Sequence, residues 1–573
     1  MIALFAVTDA GHRAAAEVAP ALGADVHPLD ALSALWPRLD GAVFFLATGA
    51  TVRLVAPLLG DKRTDPGVVC VDEARRFAVA LTGGHEGGAN TLADRVGALL
   101  GAQPVVTTAS DAAGSTGMDE LAAALDAVVD GDAAAAGRAL LDGTAAIENE
   151  AGAPLPPLPP RQQTHSAEAQ RQQSGFADIR EHQRIVVTDR LRTAGGGVTR
   201  VVPRTLVVGI GSARGVPAEA VAATLRRIET EHGYDLRAVR AYASVDLKAD
   251  EAGILAAIAP AELRTYPAQA LSGIEVPNPS EVVRAEVGTA SVAEAAALHA
   301  AAELGAGAPV ELVVEKTKGE NVTVAAARIR PRGRLAIVGL GPGAADLRAP
   351  RAEAELRRAS VVVGLDQYVE QVRHLLRPGT EVHASGLGDE EQRAADAVAL
   401  AAKGRAVALI GSGDAGVYAM ASPALQQAGA DIEVVGVPGV TAALAAAALL
   451  GAPLGHDHVL ISLSDLHTPW PVIERRVAAA AEADLVTCFY NPRSRDRHWQ
   501  LGAALEAFRA HRPPSTPVGA VRQASRTGQR VWTAPLSEFD PAEVDMLTTV
   551  VVGSSATRMV GGRMVTPRGY RWS

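Results

Sequence analysis

Short apolar runs alternate with Ala-rich amphipathic stretches along most of this chain. Runs at 2–7, 42–46, 67–71, 205–209, 334–339, 360–364, 406–410, 433–437, 485–490 and 548–552 have the length of strands. Between them, apolar positions recur at helical spacing. That order predicts α/β layers with largely parallel sheets. One stretch breaks the pattern. It opens Ala151-Gly-Ala-Pro-Leu-Pro-Pro-Leu-Pro-Pro, turns Gln-rich and ends in Gly195-Gly-Gly197. It reads as a linker holding one short strand at 184–188. A second junction lies at Arg330-Pro-Arg-Gly333, where one strand pattern stops and another starts. No fixed-period repeat is visible. The breaks predict an N-terminal α/β domain over 1–144 and a divergent middle region and linker over 145–202. A second α/β domain follows over 203–330, then a larger module over 333–573.

Composition narrows the picture. A chain of 573 residues is too long for one hydrophobic core. No apolar run reaches the length of a membrane span, so no membrane partner is expected. The opening Met1-Ile-Ala-Leu-Phe-Ala-Val-Thr-Asp9 reads as a first strand rather than a signal peptide. Cys70 and Cys488 are the only cysteines. That excludes a disulfide framework and a cysteine zinc site, and it fits a reducing cytoplasm. No metal-ligand cluster stands out, so no bound metal is expected. A formal charge of −10 argues against nonspecific nucleic-acid binding. Basic residues are nearly all Arg; the lysines are Lys62, Lys248, Lys316, Lys318 and Lys403. A compact ammonium and a planar guanidinium are not equivalent, so these few sites draw attention.

In the C-terminal module, three strand patterns run straight into Gly-rich corners: Gly339-Leu-Gly-Pro-Gly343, Gly411-Ser-Gly-Asp-Ala-Gly-Val-Tyr418 and Pro438-Gly-Val-Thr-Ala442. Neighbouring corners of this kind form the crevice where open α/β sheets bind ligands. Each alone reads equally well as a turn, and Asp414 reads equally well as a helix N-cap. Further strings are Gly364-Leu-Asp-Gln-Tyr368, Gly455-His-Asp-His458 leading to Leu466-His-Thr-Pro-Trp470, Phe489-Tyr-Asn-Pro-Arg-Ser-Arg495 and Thr548-Thr-Val-Val-Val-Gly-Ser-Ser555.

Together these strings resemble the tetrapyrrole methylase superfamily, and within it the precorrin-3B C17-methyltransferases. The resemblance covers essentially all of 333–573. His458 departs from it, since the family is expected to carry Phe there. The implied fold is two-lobed, with lobes of about 333–450 and 451–573, and the module is expected to form a homodimer. The implied cofactor is S-adenosyl-L-methionine. Carried over by position, Pro342 lies at the boundary of cofactor and substrate, flanked by Gly341 and Gly343 on the substrate side. Ser412, Gly413 and Asp414 cradle the methionine part, with Val417 nearby. Thr441 and Ala442 border the nucleoside, and Asn491 and Gly519 match contacts of the second lobe. Methyl transfer from an activated sulfonium mainly needs alignment and exclusion of water. The implied ring contraction also moves protons. His456 and Asp457 are the acid–base candidates nearest in sequence, although they read equally as a polar turn. Arg493, with Arg495 and Arg497, is a candidate clamp for substrate carboxylates; a solvated run is the other reading.

The first half has two corners of its own. Thr48-Gly-Ala-Thr-Val-Arg53 follows a buried strand and suits an anion at a helix start. Gly83-Gly-His-Glu-Gly-Gly-Ala-Asn90 precedes a helical pattern, with Asn90 as the expected N-cap. With Thr107-Thr-Ala-Ser-Asp111, Ser244-Val-Asp-Leu-Lys248, Val287-Gly-Thr-Ala290 and Glu315-Lys-Thr-Lys318, these resemble the cobalt-precorrin-5A hydrolases over 1–111 and 203–330. The activity implied is opening of a lactone on the macrocycle with release of acetaldehyde. His85 or Glu86 is the expected base, with Lys248, Arg53 and Lys316 as cationic partners. The expected whole is a multidomain α/β protein: two small α/β domains, then a two-lobed methylase fold acting on a tetrapyrrole. Two alternatives stay open: a noncatalytic, substrate-holding first half, and a methylase of RNA or protein.

Overall fold

The computed structural model describes residues 1–61, 64–84, 87–107, 113–159, 183–192, 196–494 and 497–570. Its first sheet has six strands, in the order Asp25–His27, Ile2–Ala6, Gly41–Phe45, Gly67–Val71, Phe77–Thr82 and Gln103–Val105. The first four are parallel, and Phe77–Thr82 runs against its neighbour Gly67–Val71. Leu4, Val43 and Val69 face the helices Asp9–Leu22 and Ala89–Leu100, whereas Phe5 and Phe44 pack with Trp36 and Val55 on the other side. A strand covered on both faces must be apolar at every position, which is why these strands read as unbroken runs.

The middle region departs from expectation. Strand Ala127–Asp130 pairs with Val198–Pro203, which pairs with Arg184–Val187, which pairs with Ala146–Asn149. The boundary placed at 144 therefore falls inside one four-stranded sheet, and 145–202 is not simply a linker. Ala151 and Ala153 are buried in this sheet's core, with Leu155 and Leu158 packed against it. Thr116 donates its hydroxyl to the carbonyl of Pro157. Proline-rich composition signalled a linker, but the small and apolar residues between the prolines give the segment a face to bury.

The next sheet has the order Leu263–Tyr266, Val239–Val245, Leu206–Ser212, Val322–Ile329 and Val310–Lys318. Helix Val292–Gly305 lies so close to it that a Cβ at Gly209 would sit 1.9 Å from the carbonyl oxygen of Ala293. Arg200 of the middle sheet is buried between Asp130 and Asp235, and Arg237 joins both carboxylates. This network ties the middle sheet to the third.

From Gly333 onward the chain forms two lobes. The first is a fully parallel sheet in the order Glu381–Ser385, Val361–Leu365, Ala406–Gly411, Gly333–Gly339 and Ile432–Val437. The second has the order His458–Ser462, Val486–Tyr490, Thr548–Val552, Pro517–Arg522 and Arg530–Pro535, and is mixed. Helix Ala442–Leu450 leads from one lobe into the other. Largely parallel sheets were expected throughout; only the first lobe is wholly parallel. Among the described residues, no helix is long and apolar enough to cross a membrane.

Candidate functional site

The three Gly-rich corners of the methylase module meet at the carboxyl ends of adjacent strands. Gly341 and Gly413 form an isolated antiparallel bridge, each donating its N–H to the other's carbonyl at 3.0 and 2.8 Å. Both sit at positive φ, 76° and 65°, where a side chain would be strained. A Cβ at Gly439 would lie 2.1 Å from the carbonyl oxygen of Gly413. The corners thus pack backbone on backbone, which requires glycine for closeness as well as for shape.

Asp414 fastens two of these corners together. One carboxylate oxygen accepts the N–H of Gly416 at 2.8 Å, and the other accepts the N–H of Gly439 at 3.0 Å. Asp414 is therefore not the N-cap of a following helix: the next helix, Ala421–Gln427, starts later with Met420 at its N-cap. Thr441 is the N-cap residue of helix Ala442–Leu450, yet its hydroxyl pairs with the Tyr490 hydroxyl at 2.6 Å rather than with the helix. Tyr490 also accepts the N–H of Ala443 at 2.9 Å. Tyr418, at φ 52°, donates its hydroxyl to the carbonyl of Leu460 at 2.8 Å. The two rings lie 5.3 Å apart. Burial pushes both phenols above their ordinary pKa, so both stay neutral hydroxyls near neutral pH. These tyrosines carry hydrogen bonds from lobe to lobe.

A cavity of about 420 Å³ opens beside them, lined by Gly416, Val417, Tyr418, Ala419, Ser422 and Leu460. On the Pro342 side, Arg526 from the hairpin between Pro517–Arg522 and Arg530–Pro535 donates to the Pro342 carbonyl and, at 2.7 Å, to the Ser412 hydroxyl. Asn491, at φ 49°, donates its amide to the Ser462 hydroxyl at 3.1 Å. Pro342, Ser412, Gly413, Asp414, Val417, Thr441, Ala442 and Asn491 are thus gathered around one interlobe cleft. Gly519 is one layer deeper. A Cβ there would meet Leu450 at 2.6 Å, so this glycine makes room for the helix Ala442–Leu450.

Other expected residues lie elsewhere. His456 and Asp457 are exposed side by side, with ring nitrogen and carboxylate 3.2 Å apart. They precede strand His458–Ser462, whose far end carries Ser462. The strand alone spans about 13 Å, so the pair sits at the opposite end of the strand from Ser462, the residue that Asn491 contacts. Adjacent His and Asp supply acid–base chemistry only where the fold delivers them. Arg493 donates to the carbonyls of Pro541 and Ala542. Arg497 is buried on the carbonyls of Asn491 and Leu463, not in a solvated run. Arg495 lies outside the described residues.

In the first half, His85, Glu86 and Lys62 lie outside the described residues. The glycines around 85–86 have a packing reason of their own. A Cβ at Gly67 would be 2.2 Å from the Gly87 carbonyl oxygen, and one at Gly87 would be 2.9 Å from the Cα of Gly83. Their closeness to backbone, rather than to an incoming ligand, accounts for these three glycines. The helix starts at Ala89 with Gly88 as its N-cap, so Asn90 is inside it. Arg53 is exposed and donates to the Gly49 carbonyl within its own helix at 2.9 Å. Lys248 pairs with the buried Glu251 at 3.4 Å, and Glu251 also accepts the N–H of Gly215 at 2.8 Å. Lys316 donates to the carbonyl of Asn278. Arg53, Lys248 and Lys316 thus engage separate partners rather than sharing one. Among the described residues, no group of three or more His, Cys, Asp or Glu side chains is placed to hold a metal.

Residues 334–540 match the family model described as Tetrapyrrole (Corrin/Porphyrin) Methylases. A Salmonella typhimurium protein named probable cobalt-factor III C(17)-methyltransferase is 46% identical over 242 residues, 41% of this chain and 99% of that protein. The chain belongs to the tetrapyrrole methylases. Its methylase module follows two further matched segments: residues 30–111 to Cobalamin synthesis G N-terminal, and 206–327 to Cobalamin synthesis G C-terminus. This tetrapyrrole methylase is therefore a fusion. A Sinorhizobium precorrin-3B C(17)-methyltransferase is 43% identical over 234 residues, covering 40% of this chain and 91% of that protein. A Priestia megaterium cobalt-factor III methyltransferase is 41% identical over 249 residues, and there the match spans only 46% of the relative's length. The solved methyltransferase CobJ is 39% identical, with 41% of this chain and all of that one aligned at a TM-score of 0.39.

The tyrosines at 418 and 490 belong to motifs legible in the sequence, but only the fold brings their hydroxyls to lobe-crossing positions. Arg526 stood in no motif. An Arg between Ser525 and Thr527, in a turn between two strands, reads as solvated hairpin.

Proposed function

We propose that the methylase module transfers a methyl group from S-adenosyl-L-methionine to C17 of a precorrin-3B or cobalt-factor III type tetrapyrrole, with ring contraction. The observation that carries this reading is the cleft of Gly-rich corners fastened by Asp414, in a chain of this family. Backbone N–H groups and the Asp414 carboxylate fit a ligand that bears a carboxylate, an ammonium and a sulfonium. Ser412, Gly413 and Asp414 would hold its methionine part, and Thr441, Ala442 and Asn491 its nucleoside. When bound, the sulfonium supplies an already activated methyl group. The chain's own work is then to hold the macrocycle against the cleft, to exclude water and to keep the lobes in register through Tyr418 and Tyr490. The module acts as a homodimer, and the whole chain works in a reducing cytoplasm, a setting that suits its two buried free thiols, Cys70 in the first domain and Cys488 in the module. Anaerobic incubation with cobalt-factor III and the methyl donor tests the reading by mass. A gain of about 14 mass units on the tetrapyrrole is expected, one CH₂ equivalent; no gain on cobalt-factor III and none on precorrin-3B refutes it.

The first half, with its two cobalamin synthesis G segments, opens the lactone of a ring-contracted cobalt-precorrin and releases acetaldehyde. Support comes from the matched segments themselves, and His85 is the base that the sequence offers. Acetaldehyde release by the whole chain, lost in His85→Gln, is the expected result. Absence of release from the wild-type chain leaves this half as a substrate-holding module.

A further inference from the structure

Three arginines lie on the hairpin that faces the Pro342 corner, and two are neutralised. Arg522 pairs with Asp545 at 2.7 Å, and Arg530 pairs with Glu543 at 2.7 Å. Arg526, between them, meets no carboxylate among the described residues. Its Nε and one Nη donate to neutral oxygens, the Pro342 carbonyl and the Ser412 hydroxyl. A guanidinium has five N–H donors in a planar fork, so most of its hydrogen-bonding capacity is uncommitted.

The surroundings are built to present it. Gln523 and Ser525 both adopt positive φ, 47° and 62°. Such conformations disfavour side chains and persist only where contacts hold them. Here Ser525 donates its N–H to the Gln529 side-chain oxygen at 2.7 Å, and the Arg526 N–H reaches the Gln523 carbonyl at 3.0 Å. Across the cleft, a Cβ at Gly343 would fall 2.5 Å from Cγ and 2.6 Å from Nε of Arg526. Gly343, itself at φ 145°, leaves room for this one side chain.

We propose that Arg526 is a specificity-determining residue that receives a carboxylate side chain of the tetrapyrrole at the mouth of the interlobe cleft. This rests on the methyltransferase reading above. An uncompensated cation costs free energy when partly desolvated, and a bidentate carboxylate is its best partner. A macrocycle with many carboxylates brings such a partner to the Pro342 edge. The hydrogen bonds to Pro342 and Ser412 hold the fork in place beforehand, so less side-chain freedom is lost on binding.

The test uses the full chain and compares wild type with Arg526→Gln and Arg526→Lys. Steady-state methylation of cobalt-factor III gives KM and kcat, and calorimetric titration of S-adenosylhomocysteine gives Kd. The expected result for Arg526→Gln is a tetrapyrrole KM raised about 10–100-fold, as for a lost charge-assisted hydrogen bond. S-adenosylhomocysteine Kd should stay within about threefold, and Arg526→Lys should recover part of the KM. A KM within about threefold of wild type in Arg526→Gln overturns the proposal. So does a weakened S-adenosylhomocysteine Kd with an unchanged tetrapyrrole KM, which assigns the fork to the cofactor carboxylate. If Arg526→Gln fails to fold, Arg526→Lys decides: a raised KM with unchanged kcat and Kd supports recognition, and wild-type kinetics overturn it. A wild-type chain that turns over neither cobalt-factor III nor precorrin-3B refutes the methyltransferase reading itself, and this inference with it.

Discussion

Replacing Asp414 by Ala removes two hydrogen bonds of unequal weight. The bond from Gly416 is exposed, and water replaces it at little cost. The bond from Gly439 is partly buried and joins two corners. A hydrogen bond to a charged group contributes about 1.5–3 kcal/mol. At 1.4 kcal/mol per tenfold, its loss corresponds to about a 10–150-fold effect. That cost should fall on cofactor affinity rather than on folding. The strands beneath, with Leu335, Ile337, Val407 and Leu409 at their core, keep their packing. The corner would open in the free protein and have to be re-ordered by the ligand. Calorimetric titration with S-adenosylhomocysteine should show the weakening, with melting temperature changed by a few degrees at most. Asp414→Asn separates two causes. Its side-chain carbonyl can accept only one of the N–H groups, yet it suffices to keep the Gly439 tether. If the tether dominates, Asn stays within about tenfold of wild type. If the charge toward the ammonium and sulfonium dominates, Asn resembles Ala. Unchanged Kd in Asp414→Ala, at unchanged melting temperature, would remove Asp414 from the cofactor site.

Three other outcomes are expected. Asp235 is fully buried; burial would raise its pKa, but hydrogen bonds and charge from Arg237 and Arg200 outweigh that and hold it below the ordinary 3.8. Its stabilisation is therefore complete above about pH 4 and is lost as pH falls through the depressed value. Asp235→Asn should lower stability by about 3–5 kcal/mol at neutral pH, because Arg200 is left buried with weakened pairing, and it should flatten the acid limb of a denaturation series; an unchanged acid limb would refute the network's role. Gly519→Ala should cost about 1–3 kcal/mol by crowding Leu450, read as a lower urea midpoint. Cleavage at 330–333, which the Pro/Gly junction suggests would yield independent parts, should instead give fragments that stay associated on a sizing column, because Arg377 pairs with Glu120 at 2.5 Å and Arg332 reaches the carbonyls of Gly305, Ala306 and Ala430; separate elution would show those contacts to be weak.

The strands legible in the sequence are those buried on both faces. Gly67–Val71 and Ala406–Gly411 are wholly buried, and their runs are unbroken. Arg530–Pro535 and Glu381–Ser385 lie at sheet edges, half-exposed, and their mixed polarity hid them. Of the middle sheet only the strand at 184–188 was legible; its partners were obscured by a different cause, because the Pro- and Gln-rich insertion between Ala146–Asn149 and Arg184–Val187 separates strands that pair in space. The Gly-rich corners were legible because three of them end strand patterns in one module. Arg526 and the two lobe-crossing hydroxyls were not, since their significance lies in what faces them. His456 and Asp457 are the converse case: their chemistry was legible, but not the end of the strand on which the fold presents it.

The direction of the strands also decides how two functions share one chain. Among the described residues, several contacts tie the first half to the first lobe where the lobe's strands begin. Arg377 and Gly379 precede strand Glu381–Ser385, and a Cβ at Gly379 would lie 1.8 Å from the Leu158 carbonyl oxygen. Arg358, at the end of helix Pro350–Arg358, donates to the Ala124 carbonyl at 2.9 Å just before Val361–Leu365. Gly404 approaches the Gly152 carbonyl just before Ala406–Gly411. The Gly-rich corners lie where strands of the same sheet end. A parallel sheet has all its starts on one edge and all its ends on the other, so docking at the first edge leaves the second free. The buried proline-rich segment 151–159 follows from this arrangement. Its carbonyls meet glycines at the starting edge, so its extended form is held from both sides: by the core of its own sheet and by the methylase lobe. The fusion adds a second module without covering the first one's cleft, and it does so because the attachment uses the edge that ligand binding does not.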